Sequence, residues 1–233
     1  MSIIQNNWHK SWNNFFNEQN IEKIKEIENK INKNFYPIES KVLKFTENDL
    51  KKIKYIILGM DPYPSDYIKN GIITPEATGR SFEVDSLNNW NQKFKQSSLR
   101  NIVKTIYYNK YNKKISMDEI RELINEDKFK LKQPKEWFNS LEEQGVLFLN
   151  ASLTVEPGKP DSHRKYWNDF MDSLIEYINE NSDAKWCVWG DKAYNRIKNI
   201  VNQENIIKSS HPRVDKFVLE NCFQYMKDIN WLG

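Results

Sequence analysis

Four short apolar runs set the limits on what this chain can fold into: YIILG at 55–59, VLFLN at 146–150, KWCVW at 185–189 and NIIKSS at 205–210. Each is short, rich in β-branched or aromatic residues, and bounded by turn-forming residues, so each reads as a buried strand. The stretches between them carry helical signals. WHKSWNNFFNEQ and IEKIKEIENKINK open the chain with apolar residues at helical spacing. SLRNIVKTIYY at 98–108 starts on a candidate Ser cap, and PKEWFNSLEEQG at 134–145 has Pro first and Gly last. The interval between these two reads as a polar segment. DSHRKYWNDFMDSLIEYINE predicts a long amphipathic helix, DKAYNRIKNIVNQ another, and a further helix is expected to close the chain.

Strands alternating with helices predict an α/β fold: a single domain with a central four-stranded parallel sheet flanked by helices. Residues 1–50 are expected to form a helical N-terminal extension packed on the domain, with 51–233 carrying the sheet. At 39% hydrophobic and 29% charged residues, the 233-residue chain has the composition of a globular protein rather than a disordered one. No apolar stretch approaches the roughly 20 residues of a membrane span, and MSIIQNNWHKSWNN is too polar for a secretory signal. Cys187 and Cys222 show no close spacing, which suits a reducing compartment. A cytoplasmic monomer is the expectation. The net charge of +3 permits an anionic partner without requiring one.

In a parallel sheet, ligands bind beyond the carboxyl ends of the strands. Asp61 follows the first run in GMDPYP, Asn150 ends the second, Gly190-Asp191 follows the third and His211 the fourth. An acid, an amide, a glycine turn and an imidazole are thus predicted to converge on one edge. No GxGxxG follows a strand and no GxxxxGK[ST] occurs, so nucleotide-phosphate readings lack support. The histidines (His9, His163, His211) and cysteines lack metal-ligand spacing, so no metal and no cofactor are expected. No Ser lies in a nucleophile elbow. What remains is a carboxylate to orient water, a His to stabilise negative charge, and an amide offering both donor and acceptor. An amide with a nearby aromatic ring suits a planar heterocycle. Taken singly, each residue has a structural reading: Asp61-Pro62 as a turn, Asn150 as a strand end, Phe82 as core, His211 as a loop histidine.

Taken in order, the segments resemble the motif set of the uracil-DNA glycosylase family over roughly residues 53–233. GMDPYP resembles its water-activating Gly-Gln-Asp-Pro-Tyr-His, and PEATGRSFEV the segment with a stacking Phe. SSLRNIVKTI resembles the Pro-Ser-Leu-Lys-Asn-Ile loop, and GVLFLNASLTVEPGKPDSHRKYW the block around a base-reading Asn. KWCVWGDKA and SSHPRVDKF resemble the glycine loop that touches phosphate and the His-Pro loop that enters the minor groove. The resemblance makes 51–233 the catalytic domain and implies an enzyme that flips a pyrimidine nucleotide and hydrolyses its N-glycosidic bond, leaving an abasic site. It implies Asp61 and His211 as catalytic residues: Asp61 orients water, and neutral His211 bonds the departing base. Met60, Tyr63, Phe82 and Asn150 would hold the base, with Tyr63 against C5. Ser98, Gly190, Ser210, Arg213 and Val214 would meet DNA, with Lys192 and Lys216 adding positive charge.

The departures bear on the substrate. Pro64 stands where the family has His, and SDYIKNGIIT lengthens the connection to PEATGRSF on the C5 side. Arg213-Val214-Asp215 replaces Ser-Pro-Leu, so the wedge leucine is missing, and Asp191 replaces a small residue beside phosphate. The rebuilt loop leaves two substrates open, uracil or a C5-substituted pyrimidine of viral DNA, the second implying antiviral defence. A different class also stays open: a catalytically weak DNA-binding or processivity protein on the same fold. His163 reads as a loop-positioning or helix-start residue outside the catalytic set.

Overall fold

Side chains alternate along each central strand, and the alternation explains why these strands are apolar throughout. In a computed structural model that describes residues 2–31 and 33–233, the strands are β1 (Tyr55–Gly59), β2 (Asp66–Lys69), β3 (Ile72–Pro75), β4 (Val146–Asn150), β5 (Lys185–Trp189) and β6 (Ile206–Ser209). Four of them form a parallel sheet in the order β4-β1-β5-β6. Ile56, Leu58, Leu147, Leu149, Trp186 and Val188 point into one apolar cluster. Ile57, Val146, Phe148, Cys187 and Trp189, the residues in alternate positions, point into the other. Both faces are covered, so neither can be polar.

The helices are α1 (Glu18–Lys30), α2 (Glu39–Val42), α3 (Ser97–Tyr111), α4 (Met117–Asn125), α5 (Pro134–Glu143), α6 (Arg164–Asn181), α7 (Asp191–Ile197) and α8 (Lys216–Glu220). On the first face lies α6, whose Trp167, Phe170, Met171, Leu174, Ile175 and Ile178 recur at helical spacing and are all buried. Each such fully buried large side chain contributes about 1.5–3 kcal/mol. Ile24 and Ile27 of α1, with Trp12 and Phe15 before it, join the same cluster. The second face carries Leu99, Ile102, Val103 and Ile106 of α3 and Trp137, Phe138 and Leu141 of α5. Cys187 and Cys222 are free and buried. Among the described residues, no helix is long and apolar enough to cross a membrane.

Several local expectations are revised. The polar interval after α3 contains α4, started by a capping box in which Ser116 Oγ accepts from Glu119 N–H (3.1 Å) and Glu119 accepts from Ser116 N–H (2.8 Å). Ser98 is not a cap: α3 starts at Ser97, and Ser98 sits in its first turn. The expected helix through residue 33 ends at Lys30, and Asn32 lies outside the described residues. The helix after β5 stops at Ile197, and the closing helix is the short α8 followed by a 3-10 turn at Cys222–Tyr225.

The lengthened SDYIKNGIIT connection is a β-hairpin, β2 pairing with β3 around Asn70-Gly71. Both turn residues have positive φ (52° and 77°), the requirement of a two-residue type I′ turn. Its base is tied down by Tyr36 Oη donating to Asp66 and Tyr67 Oη donating to Asp85, both at 2.5 Å. Its tip projects, leaving Ile68, Ile72 and Ile73 exposed.

Because Trp12 is wholly buried and donates from Nε1 to the Asn48 carbonyl at 2.8 Å, the N-terminal segment is built into the main core. Trp12→Ala is expected to lower stability by about 3–5 kcal/mol. Urea unfolding followed by fluorescence and circular dichroism should show one transition at a lower midpoint. Two separated transitions would make the segment an independent unit.

Candidate active site

Parallel strands bring the four expected residues to one edge because all four carboxyl ends lie there. The switch in strand order falls between β1 and β5, because the connection leaving β1 runs toward β4 and the one leaving β5 runs the other way toward β6, and a crevice forms at such points. There a cavity of about 470 Å³ is lined by Asp61, Tyr63, Phe82, Asn150 and His211 together. Met60, Ser98, Arg213 and Val214 also line it. Gly190 and Ser210 line an adjoining cavity that shares His211 and Val214 with the first.

Close approach at two glycines sets the geometry. A methyl group at Gly59 would lie 2.5 Å from Asn150 Oδ1 and 2.7 Å from Ser81 Cβ, so only glycine lets the end of β1 lie beside the amide. Asn150 is 3% exposed, yet among the described residues its amide has no protein partner, which leaves both its donor and its acceptor for a ligand. Gly190 has φ +96°, and a methyl there would lie 2.9 Å from His211 Cβ. It therefore serves two needs, the left-handed turn after β5 and the seat of the imidazole.

His211 Nδ1 accepts the Arg213 backbone N–H at 3.0 Å. That bond places the proton of the neutral ring on Nε2, making Nε2 the donor. Burial, then the Arg213 and Lys192 charges, hold its pKa below the ordinary histidine value, which favours this neutral form. Asp61 responds in the opposite sense. Burial pushes its pKa up from 3.8 to about 6; the Asp161 backbone N–H lowers it, the Asp161 side chain raises it and the Arg164 charge lowers it. The Asp161 backbone N–H donates to Asp61 Oδ2 at 3.3 Å. At neutral pH the site thus holds an ionised but basic carboxylate facing an uncharged N–H donor.

The ring residues are held by neighbours. Phe82 has φ +65°, unusual for an aromatic residue, and its ring lies 5.3 Å from Trp189 at the end of β5. Ser81 Oγ donates to the Ile57 carbonyl at 3.1 Å and fixes the preceding residue. Burial, then the Glu76 charge, raise the Tyr63 phenol above its ordinary range, so it stays neutral.

The uracil-DNA glycosylase of Borreliella burgdorferi strain ZS7 is 32% identical over 219 residues, covering 90% of this chain and 83% of that protein. The chain belongs to the uracil-DNA glycosylase family. The Lactobacillus acidophilus uracil-DNA glycosylase is 30% identical over 219 residues, covering 90% of this chain and 79% of its own length. No family model matches the chain. Among solved structures, the wild-type UNG of Nitratifractor salsuginis shares the fold with a TM-score of 0.75 at 18% identity, covering 95% of this chain and 91% of that one. Mimivirus uracil-DNA glycosylase aligns at 25% identity with a TM-score of 0.58, over 91% and 79% of the two chains. Membership makes this chain an enzyme, a hydrolase of N-glycosyl bonds.

Around this cavity the sequence left some residues unmarked and placed others incompletely. Ser210 donates from its N–H (2.5 Å) and its hydroxyl (2.8 Å) to the Glu220 carboxylate, which also accepts from Ser209 Oγ at 2.9 Å. An internal acid thus already occupies the donors that the resemblance reserves for phosphate. Those bonds, opposing burial, hold Glu220 down at about 2. Asp191 pairs with Lys208 at 3.0 Å. His163 is buried, with Nδ1 2.9 Å from Thr154 Oγ1, which also accepts from Trp167 Nε1 at 2.7 Å, so it pins the loop carrying Asp161. No motif marks Asp161 or Glu220: Asp161 meets Asp61 across 100 residues, and Glu220 meets Ser209 and Ser210 only through the turn that follows β6. Among the described residues, no group of three or more His, Cys, Asp or Glu is placed to hold a metal.

The raised Asp61 value carries a stability consequence. Its folded pKa of about 6 exceeds the reference 3.8, so the stabilising contribution of the protonated form is complete below 3.8 and lost as pH rises through about 6. Roughly two units correspond to ~3 kcal/mol, which solvent at the cavity mouth reduces to about 1–2 kcal/mol. Asp61→Asn is therefore expected to stabilise the protein by about 1–2 kcal/mol at pH 7.5 and by almost nothing at pH 3.5. Urea midpoints at the two pH values check this. An equal effect at both would show that burial does not strain the charge.

Proposed function

We propose that the protein is a monofunctional DNA glycosylase that takes a pyrimidine nucleotide, uracil in the first place, out of DNA and hydrolyses its N-glycosidic bond to leave an abasic site. The observation that carries this reading is the meeting of Asp61, Tyr63, Phe82, Asn150 and His211 around one cavity at the sheet's carboxyl edge.

Each group has a chemical task under this reading. Asp61, ionised above about pH 6, orients the attacking water and stabilises positive charge on the sugar. His211 donates from Nε2 to the pyrimidine O2 as negative charge develops on the departing base. A neutral donor suits this role because it stabilises the anion without delivering a proton early. The backbone N–H groups of Met60 and Asp61 share the load. The free amide of Asn150 pairs with the N3/O4 edge, Phe82 stacks on the ring, and Tyr63 stands at C5 and refuses a methyl group. Water is the nucleophile, so the reaction needs no cofactor. Ser98 in the first turn of α3, with Gly190 and Arg213, faces the DNA backbone, and Val214, 48% exposed, supplies an apolar plug for the vacated stack. Ser210 joins them only where Glu220 turns away. The reading places the enzyme in base-excision repair as a cytoplasmic monomer.

One observation favours a second substrate. The hairpin β2–β3 leaves the cavity wall directly after Tyr63 and Pro64, on the side where C5 of the base would sit. Such an insertion suits a C5-substituted pyrimidine, and an enzyme releasing that base would attack DNA that carries it, as in defence against a virus with a modified genome.

The test is incubation of the purified protein with duplexes containing uracil or bulky C5-modified cytosines, followed by alkaline cleavage at abasic sites. Release of uracil is expected, falling about 100-fold or more in Asn150→Ala as two hydrogen bonds to the base edge are lost. Release from the modified DNA alone would make the hairpin the specificity element. Release from neither, with DNA still bound, would make the protein a binding or processivity component instead.

A further inference from the structure

We propose that Asp161 is a positioning residue for Asp61: its backbone N–H aims the carboxylate, and its own carboxylate, clamped by Arg164 and Lys192, sets the charge that Asp61 faces. The proposal rests on reading Asp61 as the group that orients water.

The geometry is specific. Asp161 lies in the left-handed region at φ +63°, and its N–H donates to Asp61 Oδ2 at 3.3 Å across 100 residues of sequence. Its side chain pairs with Arg164 at the start of α6 and, at 3.6 Å, with Lys192 in the first turn of α7. Two helices therefore grip one acid, and all three charged residues line the cavity. The loop itself is held at several points. Glu156 N–H donates to Ser162 Oγ at 2.8 Å, and Gly158 N–H donates to the Pro64 carbonyl at 2.8 Å. That last bond ties the Asp161 loop to the Asp61 loop, so the two acids are fixed relative to each other. The buried His163–Thr154 contact anchors the far end.

The titratable and charged groups that line the cavity with Asp61 are Tyr63 from the same loop, Arg80 from the segment before Phe82, Asp161 and Arg164 from the loop and start of α6, Lys192 from α7, and His211 and Arg213 from the segment after β6. Burial is the largest cause of the raised Asp61 pKa; the Asp161 N–H bond lowers it, the Asp161 side chain raises it further, and the Arg164 charge lowers it. An acid held near 6 is a stronger base toward water than one at 3.8, and remains ionised at neutral pH. Asp161 thus gives orientation through its backbone and basicity through its side chain. Arg164 and Lys192 limit the repulsion so that Asp61 is not protonated outright.

Asp161→Asn separates these contributions, because Asn tolerates positive φ and keeps the N–H while removing the charge. The Asp61 titration is followed by carboxyl-carbon NMR, assigned through its loss in Asp61→Asn, in wild type, Asp161→Asn and Arg164→Gln. The acid limb of kcat/KM on uracil DNA is measured in parallel. Asp161→Asn is expected to move both downward by about half a pH unit or more, and Arg164→Gln to move them upward. Opposite shifts are not what a loosened loop would give. An unmoved Asp61 titration in Asp161→Asn, or shifts in the same direction, would overturn the proposal. Should Asp161→Asn fail to fold, Asp161→Gly takes its place, since Gly accepts the positive φ and keeps the N–H while removing the carboxylate: a downward shift supports the proposal and none refutes it. The NMR titration needs no substrate. Absent base release with the predicted shifts would therefore sink the excision reading and leave the coupling standing.

Discussion

Everything at the cavity depends on β1 being flanked in parallel register by β4 and β5. The pairing sets Gly59 opposite Asn150 and Leu58 opposite both Leu149 and Val188. The strand ends therefore arrive at the same level, and the residues just beyond them share one cavity. A shift of one residue would turn every inward side chain to the wrong face, so the apolar pattern that builds the core also fixes the site. The two glycines at this edge follow from the same crowding. Gly59 makes room for the amide and Gly190 for the imidazole, because strands in tight register leave no space for a Cβ.

That packing has an electrostatic consequence. A carboxylate at the end of a central strand is buried by its position, and burial disfavours its charge. The cavity answers with one backbone N–H and one arginine, which restrain the shift without cancelling it. His211 lies under the opposite pressure and remains neutral, with its Nδ1 occupied by a backbone donor. Acid and imidazole are thus driven apart in function by one environment. The result is a basic anion beside a neutral donor, the combination that hydrolysis with an anionic leaving group requires.

How much of this was legible in the sequence depended on the range of each signal. The four strands and the residues at their ends were readable because an apolar run and its turn are local. The amphipathic face of α6 was equally plain. The hairpin carries a local mark that loop length alone does not reveal: Asn70-Gly71 between β-branched residues is a type I′ signal. The capping box at Ser116 is likewise local, a Ser followed three residues later by Glu119. Asp161 and Glu220 could not be found that way. One meets Asp61 from 100 residues away, and the other fills donors on Ser209 and Ser210 only because the chain turns after β6 and brings the last residue of α8 back to the strand's end. That turn is why the motif suggests a phosphate role for Ser210 and the fold complicates it.

The most direct test of the account is single-turnover base release from uracil-containing duplex across pH 4.5–8.5 by wild type and Asp61→Asn, with DNA binding measured on the same samples. The account predicts an acid limb in the wild type near pH 6, a loss of about 10²–10⁴-fold in the variant, and nearly equal binding by both. Release that persists in Asp61→Asn, or a rate independent of pH across that limb, would contradict it.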